Sequence, residues 1–129
     1  MKLAIVGSRG FKSLGLVADF IKKLKPTTKV LSGGARGVDR FAVAQAKARG
    51  LDTEEFFANW NTPEMKFQRA AGFQRNLLLI SAADGVVAFW DRSSPGTAHS
   101  IRIATEWKKW LRIYFEDGTY QQISKGAFQ

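Results

Sequence analysis

The sequence predicts an α/β fold, a Rossmann-like three-layer sandwich with a mainly parallel sheet of about five strands and a C-terminal hairpin arm. Three observations predict it. Short apolar runs of strand character alternate about four times with stretches of helical periodicity. Glycine-rich turns stand between strands and helices. The 129 residues, 45% hydrophobic and 24% charged, suit one compact domain covering 1–129.

The elements follow in order. Lys2–Gly7 is apolar, β-branched and ends in glycine, as expected of a central strand buried on both faces. Phe11, Leu14, Ala18, Ile21 and Leu24 recur every three or four residues, giving a helix with one apolar stripe that Pro26 stops. Thr27–Leu31 is a short strand, Ser32–Gly37 a glycine-rich turn, and Val38–Arg49 an alanine-rich helix closed by Gly50. Thr53–Ala58 reads as a third strand, followed by an irregular stretch from Asn59 to about Gly72. Phe73–Ala83 reads as a helix, Gly85–Trp90 as a buried strand, Asp91–Gly96 as a polar loop and Thr97–Trp110 as a helix with Ile101, Ala104 and Trp107 on one side. Leu111–Phe115 is a last parallel strand, and the turn signal Asp117-Gly118 folds Tyr120–Ile123 back as the hairpin arm. Crossovers are expected to be right-handed, with helices on both faces.

Composition narrows the chemistry. The absence of cysteine removes disulfides, thiolate nucleophiles and Cys-based metal sites, and His99 as the one histidine excludes a histidine metal cluster, so neither metal nor cofactor is expected. No apolar run approaches the roughly 18 residues of a spanning helix, and the N-terminus reads as a strand and not as a signal peptide. A cytoplasmic protein without a membrane partner is expected, as is assembly into a homo-oligomer.

The formal charge of +9 is uneven. Residues 1–50 hold eleven Lys or Arg against Asp19 and Asp39, whereas residues 51–129 hold nine of each sign, so the whole surplus lies in the first fifty. A polyanion or a phosphorylated ligand is the expected partner. Arg9, Lys12, Arg36 and Arg40 fall at the carboxyl ends of strands, the ligand side of such a sheet. Lys2, Lys22, Lys23, Lys25, Lys29, Lys47 and Arg49 fall on the opposite rim, where complementing helix dipoles accounts for them and a nucleic-acid patch is the alternative.

Three turns suit a phosphate. Gly33, Gly34 and Gly37 permit close approach of backbone N–H groups to an anion; Gly7-Ser8-Arg9-Gly10 adds a hydroxyl and a guanidinium; Ser94-Pro95-Gly96-Thr97 opens a helix. The first lacks the Gly-Lys-Ser/Thr of a Walker A loop, since Val38-Asp39 follows Gly37, and it fails the dinucleotide fingerprint at Ser32. Nucleotide hydrolysis of the Walker type and redox use of NAD are therefore not expected.

Other residues carry two explanations each. Asp39 suits a ribose hydroxyl, yet an acid in a first helical turn is favoured by the dipole alone. Asp91 suits a sugar or a loop cap, and Arg75-Asn76 either reach over the site or form a solvated face. Trp60 and Trp90 offer either a base-stacking surface or core packing. Glu54 and Glu55 suit a ribose or a solvated strand edge. Trp107, Lys108, Lys109 and Trp110 suit single-stranded nucleic acid or an amphipathic helix. His99 reads as a surface residue of its helix, and one histidine defines no catalytic triad.

Together Gly7-Ser8-Arg9, Ser32–Asp39, Gly72-Phe73 with Arg75-Asn76, and Phe89-Trp90-Asp91 with Gly96-Thr97 resemble the SLOG superfamily. That superfamily includes the LONELY GUY phosphoribohydrolases, the DNA-processing protein A family and a YspA-like branch, and the order and spacing here look most like the last. The resemblance implies a pocket for a nucleotide or nucleotide-derived ligand, ADP-ribose-like or a nucleoside phosphate, held by a sensor or sequestering protein. Its ligand set would be Gly7, Ser8, Arg9, Ser32, Gly33, Gly34, Ala35, Arg36, Gly37, Asp39, Arg75, Asn76, Asp91, Gly96 and Thr97. The LONELY GUY motif would align its catalytic Glu with Ser100, and Glu106 lies almost two helical turns further on. A nucleotide-processing hydrolase or transferase is thus an alternative with Asp39 or Asp91 as the acid–base group. A single-stranded nucleic-acid-binding module is the second alternative.

Overall fold

In a computed structural model of the chain, residues 1–58, 65–124 and 126 are described, with the backbone alone over 65–69. The elements run β1 (Lys2–Gly7), α1 (Leu14–Lys22), β2 (Lys29–Ser32), α2 (Val38–Ala48), β3 (Asp52–Glu55), α3 (Met65–Ala82), β4 (Gly85–Phe89), α4 (Pro95–Glu106), β5 (Trp110–Tyr114) and β6 (Tyr120–Gln122). They build a six-stranded sheet in the order β3-β2-β1-β4-β5-β6. All neighbours are parallel except β5 and β6, which close the expected hairpin.

The twofold alternation of the strands divides the core between the two faces. Leu3, Ile5, Val30, Val87 and Phe89 point to one side and pack under Val17 and Ile21 of α1 and Val38, Ala42 and Ala46 of α2. Ala4, Val6, Leu31, Val86, Ala88, Leu111 and Ile113 point to the other, beneath Leu79 and Ile80 of α3 and Ile103 and Ala104 of α4. The chain moves outward from β1 through β2 to β3, then crosses to β4 on the far side of β1. The carboxyl ends of β1 and β4 therefore diverge into loops that leave in opposite directions, which opens a crevice between them.

Three helix boundaries differ from the sequence expectation. α3 begins at Met65 and absorbs much of the stretch expected to be irregular, because Met65, Lys66, Gln68, Arg69 and Ala70 are strong helix formers although they carry no apolar stripe. Residues 59–64, Trp60 among them, lie outside the described residues. α1 buries Val17 and Ile21, with Phe11 packing from the preceding loop and not from the helix itself. α4 starts at Pro95 and ends at Glu106, where Lys108 at φ 54° turns the chain into β5. Its buried apolar residues are Ile103 and Ala104, leaving Trp107 45% exposed.

Two glycines bring the strand ends together. A Cβ on Gly7 would stand 2.5 Å from Cβ of Val38, so the Val38 side chain in the first turn of α2 seats directly on the β1 backbone. Gly37, at φ 79°, would place a Cβ 2.5 Å from the carbonyl oxygen of Arg9. Gly7→Ala is expected to destabilise by about 1–3 kcal/mol through overpacking, and Gly37→Ala by at least that, since the left-handed backbone adds about 1–2 kcal/mol. Gly15→Ala, whose Cβ meets open space in α1, serves as the control and should be neutral or stabilise by up to about 1 kcal/mol. Urea midpoints of the three variants give the comparison.

Candidate ligand-binding site

A cavity of about 450 Å³ occupies the crevice at the carboxyl ends of β1 and β4. Val6 to Arg9 form one wall and Ala35 with Asp39 a second. Gly72, Phe73, Arg75, Asn76 and Leu79 of α3 form a third, and Ser94 to Thr97 a fourth. Of the residues expected from the sequence, Gly7, Ser8, Arg9, Ala35, Asp39, Arg75, Asn76, Gly96 and Thr97 line it. Ser32, Gly33, Gly34, Arg36, Gly37 and Asp91 stand outside the lining, most of them as its support.

The β4–α4 turn is organised by Asp91. Its Oδ1 accepts the amides of Ser93 (2.9 Å) and Ser94 (2.8 Å), and its Oδ2 accepts the Ser94 hydroxyl at 2.9 Å. Burial would raise this carboxyl, but these donors together with Ser8 outweigh it and hold the pKa at about 2. The consequence lies in α4. Ser94 is the N-cap residue, yet its hydroxyl is turned back to Asp91, so the helix start carries no side-chain cap and leaves its amide dipoles to the cavity. Pro95 at the first turn presets the entry angle. Trp90, half-buried, clamps the same turn by donating its indole N–H to the Ser94 carbonyl at 3.1 Å.

Ser8 links the two central strands. Its amide donates to the Phe89 carbonyl (3.0 Å), its hydroxyl accepts the Asp91 amide (3.1 Å), and its Oγ lies 3.5 Å from the buried Thr97 hydroxyl. The α2 start is likewise without a side-chain cap because Gly37 holds the cap position. Two helix N-termini therefore flank one cavity.

Asp39 is the buried charge of the site, 5% exposed. Its Oδ2 accepts the Ala35 amide at 3.2 Å, and its Oδ1 has no hydrogen-bond partner. Burial pushes the carboxyl up to about 6, against the Ala35 amide, the Arg75 charge and a weaker pull from the Gly33 and Gly7 amides. Arg75, lowered mainly by its own burial, donates to the Gly33 carbonyl and, through Nε, to Oδ1 of Asn76 at 2.9 Å. Asn76 donates in turn to the Gly96 carbonyl (3.4 Å) and meets Nδ1 of His99 (3.2 Å). Arg9 adds a second positive charge near Arg75. A buried carboxyl, two guanidinium groups and two helix starts thus surround a space of small-molecule size.

Sequence reasoning missed His99. It sits behind the wall, its ring 4.4 Å from that of Phe73. Only the pairing of α3 with α4 makes this neighbour visible. Ser100, where the sequence resemblance would put the LONELY GUY catalytic Glu, is buried and outside the lining, and Glu106 is exposed at the far end of α4. Glu54 is engaged at the sheet edge, 2.8 Å from Lys29. On the opposite rim Arg49 donates to the Ile21 and Leu24 carbonyls that end α1.

Residues 1–62, just under half of the chain, match the model of the YspA, cpYpsA-related SLOG family. Over those residues the chain is similar to that family. The resemblance read from the sequence is borne out, as is the Rossmann-like fold. DNA processing protein A from Streptococcus pneumoniae superposes with a TM-score of 0.70 at 20% identity, over 88% of this chain and 49% of that one. DNA processing protein A from Helicobacter pylori, described for its single-stranded DNA binding mode, gives 0.65 at 21% identity, over 89% of this chain and 64% of that one. TM1055, a structural-genomics target, gives 0.63 at 21% identity over 85% and 71%. The chain thus spans about half the length of the first and under two thirds of the second. These likenesses establish the fold. No curated protein matches the chain, and among the described residues no helix is long and apolar enough to cross a membrane.

Asp39 gives the cavity a pH signature. A carboxyl at about 6 in the folded chain and 3.8 unfolded binds its proton more tightly when folded, so its contribution falls as pH rises from about 4 through about 6. Fully ionised it costs about 3 kcal/mol. Asp39→Asn removes this slope. The stability difference between variant and parent, from denaturation at pH 4 to 8, should grow by up to about 3 kcal/mol in favour of the variant. An unchanged difference across that window would show a carboxyl with ordinary acidity.

Proposed function

We propose that the chain binds a nucleotide-derived ligand, a nucleoside phosphate or an ADP-ribose-like molecule, as a sensor or sequestering protein. One observation carries the reading: Ser8, Arg9, Asp39, Arg75 and Thr97, from four different segments, line a single cavity against two helix starts that lack side-chain caps. The phosphate would take the α4 start, the Thr97 hydroxyl and the Arg9 guanidinium, with Gly33, Gly34 and Arg36 as the outer bank of the cradle. Asp39 would take a sugar hydroxyl, and Phe73, 40% exposed at the mouth, gives a face on which a base can stack. The reading includes a cytoplasmic setting and self-association, the latter supported by the exposed Leu77 and Leu78 of α3.

Turnover is the second reading, and Asp39 is the observation that favours it. It is the one carboxylic acid among the described lining residues, held near neutrality where acid–base catalysis works best. Asp91, bound by its own loop and kept at about 2, is the poorer acid–base group. With Ser100 at the LONELY GUY glutamate position, that reaction would need Asp39 in its place.

Incubation with AMP and with ADP-ribose separates the readings. Binding raises the melting temperature and leaves the ligand intact by chromatography, whereas turnover releases product. Arg9→Ala should weaken either ligand by about 10–100-fold, the worth of a charge-assisted hydrogen bond. A parent protein with no melting shift from either ligand overturns the proposal. An oligodeoxythymidylate bound with a log–log salt slope of about −0.7 per phosphate, and lost on reversing Lys22, Lys23 and Lys25 to Glu, would establish the nucleic-acid alternative instead.

A further inference from the structure

Asn76, buried between α3 and α4, is a junction with fixed donor and acceptor sides. Its Oδ1 accepts Nε of Arg75, and its Nδ2 faces the Gly96 carbonyl and Nδ1 of His99. An amide nitrogen only donates, so Nδ1 of His99 must be the acceptor and the ring carries its proton on Nε2. Beyond Asn76, Arg75 reaches the Gly33 carbonyl. One chain of hydrogen bonds thus runs from α4 through the α3 wall of the cavity to the β2–α2 turn.

We infer that His99 is a positioning residue for this site: its neutral ring holds Asn76 and Arg75 in place in the cavity wall, and its protonated ring releases them. A proton on Nδ1 sets two donors against each other. The amide can answer only by turning over to offer Oδ1 to the ring, which takes the acceptor from Arg75 and turns an N–H₂ group toward the guanidinium. Gly96 loses its donor in the same movement. The ligand-lining Asn76 and Arg75 change together, although His99 itself touches no lining space.

The surroundings favour the neutral ring. Burial lowers its pKa, Arg102 lowers it further and Glu106 opposes them, while from α3 Phe73 lies against the ring and Arg75 stands one residue beyond Asn76. Asp39, which shares the cavity, titrates in a neighbouring range and needs its own control.

The chain holds a single histidine, so its C2–H proton signal is unambiguous in an NMR titration. In the free protein the ring ¹⁵N shifts should report the Nε2–H tautomer, and the Asn76 Nδ2 and Arg75 Nε signals should move with the midpoint of His99. The opposite tautomer, or side-chain signals that titrate apart from His99, overturns the inference whether or not any nucleotide binds. The second arm rests on the nucleotide reading above. AMP should lower the His99 midpoint, by reciprocity between proton and ligand. Between pH 7.5 and 5.5 the parent should lose about threefold or more in AMP affinity beyond the loss in His99→Gln, whose neutral amide oxygen accepts from Asn76 at every pH. The response common to both proteins belongs to Asp39 and to the AMP phosphate, whose second ionisation falls at about pH 6. AMP binding with parallel pH profiles for parent and His99→Gln refutes the positioning role, whereas no AMP binding at all with the expected titrations refutes only the choice of ligand.

Discussion

The close packing that two glycines permit at the end of β1 is the constraint on which the site depends. Without side chains at Gly7 and Gly37, the first turn of α2 seats on β1 and the Arg9 carbonyl lies against the β2–α2 turn. Any Cβ at either place pushes these segments apart by tenths of an ångström or more, and a binding geometry made of short-range donors does not survive that. Ser8 completes the junction from the other side by bonding the end of β1 to the Phe89 carbonyl of β4 and to the Asp91 amide of the β4–α4 turn. Four segments therefore converge because the Val38 side chain and the Arg9 carbonyl pack where glycine leaves room, and the charged groups are placed by that convergence.

The two central aspartates show how one residue type is put to opposite uses. Asp91 is surrounded by donors from its own loop and held strongly acidic, so it acts as a fixed brace that turns Ser94 away from capping α4. Asp39 is denied enough donors, keeps an unsatisfied oxygen and is pushed toward neutrality. A buried polar atom left without a partner costs the fold about 1–3 kcal/mol. Such a cost is tolerable where a ligand or a proton can settle it, and the lining of a cavity is such a place. Arg75 moderates the cost without removing it, since its hydrogen bonds go to Gly33 and Asn76 and only its charge reaches Asp39.

Much of this was legible in the sequence because it rests on short-range rules. The unbroken apolar runs of Leu3 to Val6 and of Val86 to Phe89, the glycines after β1 and β2, and a helix opened by the Ser94–Thr97 turn each read correctly from neighbouring residues alone. The rule that ligands sit at the carboxyl ends of parallel strands then placed Arg9, Asp39 and Thr97 on one cavity. What was not legible depends on pairings between distant segments. The start of α3 at Met65 is set by propensity without an apolar stripe, so periodicity passed over it. The position of His99 behind Asn76 follows from how α4 docks on α3, and no local pattern encodes that docking, whereas Asp91, bonded to Ser93 and Ser94 two and three residues on, had the loop cap as one of its two sequence readings.

The magnitudes argue for a ligand larger than a phosphate ion. A helix start contributes about 0.3–1 kcal/mol and at most roughly 2 when partly buried, and a charge-assisted hydrogen bond about 1.5–3. The α4 start with Arg9 and Thr97 therefore supplies about half of the roughly 8 kcal/mol that micromolar binding requires, before the entropy of association is subtracted. The remainder has to come from apolar and aromatic contact and from the donor that Asp39 lacks. Val6, Leu79 and Phe73 supply the first within the same cavity, and a sugar hydroxyl supplies the second. An inorganic anion brings neither, whereas a nucleoside carrying a phosphate brings both on a single rigid frame, and so can satisfy the buried carboxyl and the open helix start at once.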